Sequence, residues 1–237
     1  MIKADLAGSI RNTSCFSEGN FAKLKEIMCD NHFPAGSHLF WEGDPADKLY
    51  FLHKGRVRIT KATDDGKHLV IYTHQAGDLF GQVDPFRESV HFFGAEILED
   101  ADVGIIQQQD LEALLLQHGD LAVEFMKWIG LMNRLTQSKL RDLMLFGKLG
   151  ILCSLLIRLG NTYGIEQGGR ILISKKLTNS ELADMIGTTR ESVNRILGDL
   201  KKAGVISYED GHIVIQDLDY LRDTCQCENC PKEICRV

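Results

Sequence analysis

Residues 177–206 read LTNSELADMIGTTRESVNRILGDLKKAGVI, and their spacing predicts two short helices joined by a tight turn. Thr178 followed by Glu181 is a capping-box pattern that starts the first helix. Leu182, Ala183 and Ile186 face inward, and the small Ala183 lets a second helix come close. Gly187 supplies the turn, because backbone conformations that strain other residues cost glycine little. Thr188 is expected to cap the second helix. On it, Val193, Ile196, Leu197 and Leu200 recur at i, i+3, i+4 and i+7 and form a buried stripe. Arg190, Glu191, Asn194 and Arg195 remain on the exposed face near the N-terminal end, the part of a recognition helix that enters the major groove. The next stretch, VISYEDGHIVI (205–215), reads as a strand, an Asp-Gly turn and a strand, which is a wing.

The side chains on that face suit a duplex. Arg195 is able to donate two hydrogen bonds to guanine O6 and N7, and Glu191 to accept from cytosine N4. Thr188 and Thr189, at the helix start, complete the DNA-facing set. Lys175, Lys176, Lys201 and Lys202 are placed for phosphates, which position a helix without reading sequence. Glu191 has a second reading, since Thr188 and Glu191 are also spaced as a capping box. Winged helices sometimes bind protein instead, but two arginines flanking the glutamate favour DNA. The charge agrees. The chain carries 27 basic and 33 acidic side chains, a net charge of -6. Between Arg170 and Lys202, seven basic residues stand against four acidic ones, so the basic footprint is local.

Working outward, residues 147–224 form the DNA-binding domain. It opens on a buried helix marked by Leu149, Leu152, Leu155, Leu156 and Leu159, and Gly168-Gly169 ends the connection that follows. Residues 111–146 are helical. There Asp120 is a cap, and Leu121, Phe125, Trp128, Met132 and Leu135 alternate at spacings of four and three. That narrow stripe predicts a seam pairing with a second copy, the alternative being a helix lying on its own β-domain. Continued, the spacing meets Lys139 and Asp142, so the seam turns polar, most simply where two helices splay and admit water, a ligand role for the acid being the alternative. Residues 1–110 form a sensor-like β-domain, with strands between about 33 and 108. Gly55, Gly66 and Gly77 are evenly spaced, as in an antiparallel roll with strands of similar length, and a hairpin turn is expected at Asp64-Asp65-Gly66. The fold class is thus α+β: an N-terminal antiparallel β-roll, a long dimerisation helix and a C-terminal winged helix-turn-helix.

Residues 225–237 are a cysteine-rich tail. Cys15, Cys29 and Cys153 are scattered, whereas Cys225, Cys227, Cys230 and Cys235 crowd together, with Pro231 directly after Cys230. Compact thiolate spacing followed by proline resembles iron–sulfur sites. A 4Fe–4S cluster needs four ligands, either all from the tail or three from it and one from elsewhere. Structural zinc uses the same thiolates, and uncoordinated thiols are the third reading.

A β-roll, a long helix and a winged helix carrying TTRESVNR resemble the Crp–Fnr family of bacterial regulators over nearly the whole chain. The family's base-reading arginine, glutamate and later arginine fall on Arg190, Glu191 and Arg195. Asn194 departs from the usual glycine or serine, which leaves the outer base of the operator open. The resemblance implies a homodimer on palindromic double-stranded DNA with TGTGA-like half-sites, and RNA polymerase as a partner. Cyclic-nucleotide binders of the family hold their ligand with a Gly-Glu pair and a downstream Arg-Ser or Arg-Thr. The matching stretches here are Gly77-Asp78-Leu79-Phe80-Gly81-Gln82 and Phe93-Gly94-Ala95. Glutamine replaces the glutamate and no arginine occupies the phosphate position, so cyclic AMP is not expected. The tail narrows the match to the Gram-positive Fnr subgroup, with its sensor at the C-terminus. That resemblance implies a 4Fe–4S cluster on Cys227, Cys230, Cys235 and Asp142, with Cys225 a spare thiol or a competing fourth ligand. It also implies an oxygen-responsive activator of anaerobic genes; a zinc-bearing or metal-independent regulator of the same fold is the alternative.

Other classes find no support. The longest strongly apolar stretch, 149–157, is far short of the roughly twenty residues that span a bilayer. The N-terminus lacks an apolar signal core, so a cytoplasmic location is expected. Neither a phosphate loop nor a nucleophile motif points to an enzyme. His53, His68, His74 and His91 are scattered through the β-region and read as surface or satisfied core histidines.

Overall fold

The N-terminal strands form one antiparallel sheet whose members differ greatly in length. The computed structural model describes residues 10–62, 68–82 and 89–237. Strands β1 (Cys29–Phe33), β2 (His38–Phe40), β3 (Lys48–Ala62), β4 (His68–Gln75), β5 (Leu79–Gly81) and β6 (Gly94–Gln107) pair in the order β1-β6-β3-β4, with β2 on β6 and β5 on β3. Even glycine spacing predicted equal strands, yet β3 has 15 residues and β2 only 3. The expected turn at Asp64-Asp65-Gly66 lies outside the described residues. Gly55 is not a turn. It sits inside β3 at φ 93°, where the register with β6 shifts. An added Cβ would stand 2.6 Å from the Asp100 carbonyl oxygen. Gly55→Ala is therefore expected to destabilise the full chain in urea by about 1–3 kcal/mol from backbone strain alone.

Alternation along β3 sets the two faces. Val57 and Ile59 point into a core with Leu52, Phe80, Ala95, Ile97 and Val103, each side chain worth about 1.5–3 kcal/mol on full burial. Alternating with them, Arg56 and Arg58 face outward onto Glu99 and Glu96 of β6. Asn12, at the head of a 3-10 turn (Asn12–Cys15), ties the N-terminal segment to the roll. Its side chain donates to the Leu79 carbonyl at 2.7 Å and accepts from the Leu79 N–H at 2.8 Å.

Helices α1 (Glu18–Glu26), α2 (Gln108–Gln117) and α3 (Gly119–Leu145) accompany the sheet. The self-pairing seam expected on α3 is corrected here. Leu121, Phe125 and Trp128 are buried against Leu24, Leu49, Phe51, Leu79, Ile106 and Leu111 of their own β-domain, and Met132 packs on the same cluster. Period alone reveals an apolar stripe, not what covers it. A different stripe is exposed: Met126, Ile129, Leu140 and Leu143 share one heptad pattern, with Asn133 and Thr136 between.

The chain divides into two units inside α3, between Asn133 and Arg134. The second unit contains α4 (Gly147–Tyr163), β7 (Gly164–Gln167), β8 (Arg170–Ile173), α5 (Asn179–Ile186), α6 (Arg190–Lys202), β9 (Ile206–Glu209), β10 (His212–Ile215) and α7 (Leu218–Thr224). Its four strands form an antiparallel sheet in the order β7-β8-β10-β9. Gly168 and Gly169, read as the end of a connection, are instead the hairpin turn between β7 and β8, both at positive φ. Every residue of α4 from Leu152 to Leu159 is buried, including Arg158, whereas Leu149 is 41% exposed. No helix among the described residues is long and apolar enough to cross a membrane.

Candidate nucleic-acid interface and thiol-rich tail

The helix-turn-helix forms as its spacing required. Thr178 accepts from the Glu181 N–H while Glu181 reaches back to the Thr178 N–H, so both halves of the capping box are present. Gly187 takes φ 63° and ends α5. Leu182, Ala183, Ile186, Val193, Ile196, Leu197 and Leu200 meet in one core with the buried face of α4. The wing turn is Asp210-Gly211 with φ 49° and 82°, the left-handed pair that a two-residue hairpin demands.

The cap of α6 needs a one-residue correction. Thr189, not Thr188, is the N-cap, and its hydroxyl accepts from the Ser192 N–H at 3.3 Å. Thr188 is half-buried, and its hydroxyl oxygen has no hydrogen-bond partner among the described residues. Adjacent threonines offer the same chemistry, and the tightness of the Gly187 turn decided between them. Arg190, Glu191, Asn194 and Arg195 are all exposed on one end of α6. Hydrogen bonds from its own backbone N–H and from the Thr189 hydroxyl hold the Glu191 carboxyl below the usual carboxylate range. Asn194 accepts from Asn179 Nδ2 at 3.1 Å, which ties the exposed end of α6 to the start of α5. Among the flanking lysines, Lys175 lies over the Tyr163 ring and Lys201 over Tyr208.

The tail folds back onto the second unit. Cys225 caps α7, and left-handed Gln226 and Asn229, at φ 45° and 52°, turn the chain before Pro231. Arg158 Nη1 donates to the Ile234 carbonyl at 3.2 Å, Asn161 Nδ2 to the Cys235 carbonyl at 2.8 Å, and the Val237 N–H to Thr162 Oγ1 at 3.2 Å. The end of α3 joins this network through Asp142, which accepts from Arg141, Ser154 and Arg158. Contrary to the expectation of a solvent-filled splay, Asp142 is 3% exposed within the single chain. Burial pushes its carboxyl up, but hydrogen bonds from Ser154 and Arg158 outweigh this and leave it below the usual range. Lys139 is pushed down to about 7 by burial and then by the charges of Arg158 and Arg236.

Side chains with ligand chemistry gather in this neighbourhood. Burial raises the Cys235 thiol; Arg158 opposes this, while Cys227, Cys230 and Asp142 add to it. Cys225 is buried and pushed up to about 11 by that burial and then by Cys227 and Asp142. Cys153, from α4, is pushed to about 12 by burial and by Cys225. The seven cysteines are free thiols, and among the described residues no three His, Cys, Asp or Glu side chains stand in a metal-ligating arrangement.

Comparison with known proteins agrees with this architecture. The cyclic nucleotide-binding domain family matches residues 30–118, and the Crp-like helix-turn-helix domain family matches residues 152–224. The anaerobic regulatory protein of Bacillus subtilis is 43% identical over 228 residues, covering 95% of this chain and 96% of that protein. The chain belongs to the Crp–Fnr family. Like other Crp–Fnr members it is a DNA-binding transcription regulator and not an enzyme. A CRP-like cAMP-activated global transcriptional regulator of Mycobacterium tuberculosis is 26% identical over 200 residues, 84% of this chain and 89% of its own. In fold, the structure of a CooA mutant from Carboxydothermus hydrogenoformans aligns with a TM-score of 0.73 at 19% identity, over 85% of this chain and 89% of that one.

In this Crp–Fnr regulator Gln82 Oε1 lies 3.1 Å from His91 Nδ1. His91 is buried and stacked on Phe40 at 3.6 Å, and burial lowers its pKa. Gly94 and Ala95 run into β6. Sequence reasoning missed Arg158 and Asn161, which anchor the tail, and Ser154, which holds Asp142. A signal existed for Arg158: a basic residue between Ile157 and Leu159, in the apolar run of α4, must be buried and therefore paired.

Proposed function

We propose that this regulator senses oxygen through a 4Fe–4S cluster held by Cys227, Cys230, Cys235 and Asp142, and that the cluster-loaded homodimer activates anaerobic genes from palindromic TGTGA-like operators. The observation that carries the reading is that Cys227 and Cys230 pack on the core that buries Cys225 and Cys235, in the same unit as Asp142. The donor chemistry fits: thiolates suit iron–sulfur clusters, and a carboxylate completes a set of four. When bound, the cluster supplies an oxygen-labile link between the end of α3 and the tail. The Bacillus subtilis relative is named an anaerobic regulatory protein, in keeping with this role. Gln82 in place of glutamate argues against cyclic AMP as the effector.

The second copy docks on the exposed stripe Met126, Ile129, Leu140 and Leu143, where an apolar heptad face meets its own symmetry mate. Two α6 helices then reach successive major grooves about one helical turn apart. Arg190, Glu191 and Arg195 read base edges, Asn194, Thr188 and Thr189 lie on the same rim, and RNA polymerase is the partner on DNA. A binding selection tests Glu191. Glu191→Gln keeps an acceptor at the helix start but is expected to shift base preference at one position by about 1–3 kcal/mol. An unchanged preference would confine Glu191 to its own helix terminus.

A zinc-bearing regulator is the second reading. It is favoured by the full set of hydrogen bonds on Asp142, which leaves Cys225 as a fourth sulfur. Anaerobic purification with iron, sulfide and zinc analysis separates the two. The oxygen-sensor reading predicts about four irons and four sulfides per chain and operator binding that is lost in air. Stoichiometric zinc, no sulfide and air-stable binding would replace it with the second reading.

A further inference from the structure

Around α6, the base-facing side chains are bracketed by hydrogen bonds to two other helices. At about 100° per residue, Ser192 and Asn194 stand about 160° apart, with Arg195 and Glu191 in the arc between them. On one side Asn194 accepts from Asn179 at the start of α5. On the other, Lys148, in the first turn of α4, donates from Nζ to Ser192 Oγ at 3.3 Å. The N-cap residue Thr189 also donates to Ser192 Oγ, at 3.2 Å. These donors fill the acceptor positions of the serine hydroxyl and leave its own proton to give away. The Lys148 ammonium likewise carries more protons than this one bond uses. Lys148 is exposed and makes no ion pair among the described residues. Its charge does nothing for α4: a cation in the first turn opposes the helix dipole, and no acidic residue stands there to offset it.

We infer that Lys148 and Ser192 form a phosphate clamp on the α4 side of the recognition helix, both donating to the DNA backbone when α6 lies in the major groove. The walls of that groove are sugar–phosphate strands. A helix that reads base edges through its central arc therefore meets phosphates on its flanks, and Ser192 lies about 80° from the middle of the arc. An ammonium beside a hydroxyl donor suits a phosphate oxygen, since hydrogen bonds to an ionised acceptor are the strong ones. The clamp carries no sequence information; it fixes how deep and at what angle α6 sits. It rests on duplex binding through α6 and is independent of what the tail binds. Lys148 stands 44 residues before Ser192, outside the stretch whose local charge pointed to DNA.

The test titrates the full-length protein, under nitrogen, against a palindromic TGTGA-like duplex and a random duplex at several salt concentrations. Lys148→Gln sits at an exposed position and removes one charge. It should weaken binding to both duplexes alike, by about fivefold per bound protomer, and lower the slope of log affinity against log salt by about 0.9 per protomer. Ser192→Ala should weaken both by about two- to tenfold with the slope unchanged, because no charge is lost. Lys148→Arg keeps the charge and should keep the slope. Phosphate ethylation locates the contact: a flanking phosphate whose ethylation hinders the unsubstituted protein should no longer matter to Lys148→Gln. The clamp is overturned if Lys148→Gln leaves both slope and ethylation pattern unchanged, or if its loss falls on the palindrome alone. If the unsubstituted chain binds the two duplexes equally, the operator reading fails, while the random duplex still decides the clamp. If it binds neither, duplex binding through α6 fails and the clamp fails with it.

Discussion

Serine at Cys227 is expected to leave a folded dimer that lacks the proposed cluster and has lost its preference for the operator. A serine hydroxyl is a poor ligand for iron held by soft donors, so one corner of the proposed cluster goes unligated. The tail remains attached to α4 through Asn161 and Thr162, and the apolar core of the second unit does not use Cys227 as a buried member. Folding and dimerisation should therefore survive, as judged by circular dichroism and light scattering. Specific DNA complexes are typically at least about 10³-fold tighter than non-specific ones, and a variant that can no longer set its two recognition helices forfeits most of that margin. Gel-shift titration against operator and random duplex, under nitrogen, measures it. Undiminished operator affinity in a metal-free Cys227→Ser protein would separate the tail from DNA binding altogether.

Glutamate at Ile129 produces a monomer with intact domains. Ile129 is 46% exposed on the α3 face that does not pack on the β-roll, so the substitution removes no core contact within the chain. In the proposed dimer the same position faces its copy, where two carboxylates meet without partners. A monomer engages one half-site at a time. Losing the linked second half-site lowers operator affinity by about 10²–10⁴-fold, while contact with a single half-site is retained. Trp128→Ala is the matched control. Trp128 is 4% exposed and lies in the core with Phe125 and Leu121, so its loss should cost about 3–5 kcal/mol of stability without splitting the dimer. If Trp128→Ala dissociates the protein and Ile129→Glu does not, the dimer uses the stripe first read from the spacing.

These two substitutions mark where the sequence was legible. Thr178, Glu181, Gly187 and the stripe from Val193 to Leu200 could be read correctly because each depends on spacings of four residues or fewer along a helix. The Asp210-Gly211 turn was legible for the same reason. The seam on α3 was not. Leu121, Phe125 and Trp128 form a true apolar stripe, but helical period is blind to whether the partner is a sheet of the same chain or another copy. The thiol spacing of the tail pointed to metal chemistry. It held no hint that Asp142 would be fully hydrogen-bonded, because Ser154 and Arg158 lie 12 and 16 residues away along the chain.

By itself, the order of residues determined the local devices: caps, turns, the amphipathic recognition helix and the close spacing of Cys227 and Cys230. Only the tertiary structure decided which face of α3 is free, which threonine caps α6 and what holds Asp142. The physical reason is one of range. Capping and turn geometry are settled within a helical turn, whereas burial and ion pairing depend on groups that only folding brings into contact.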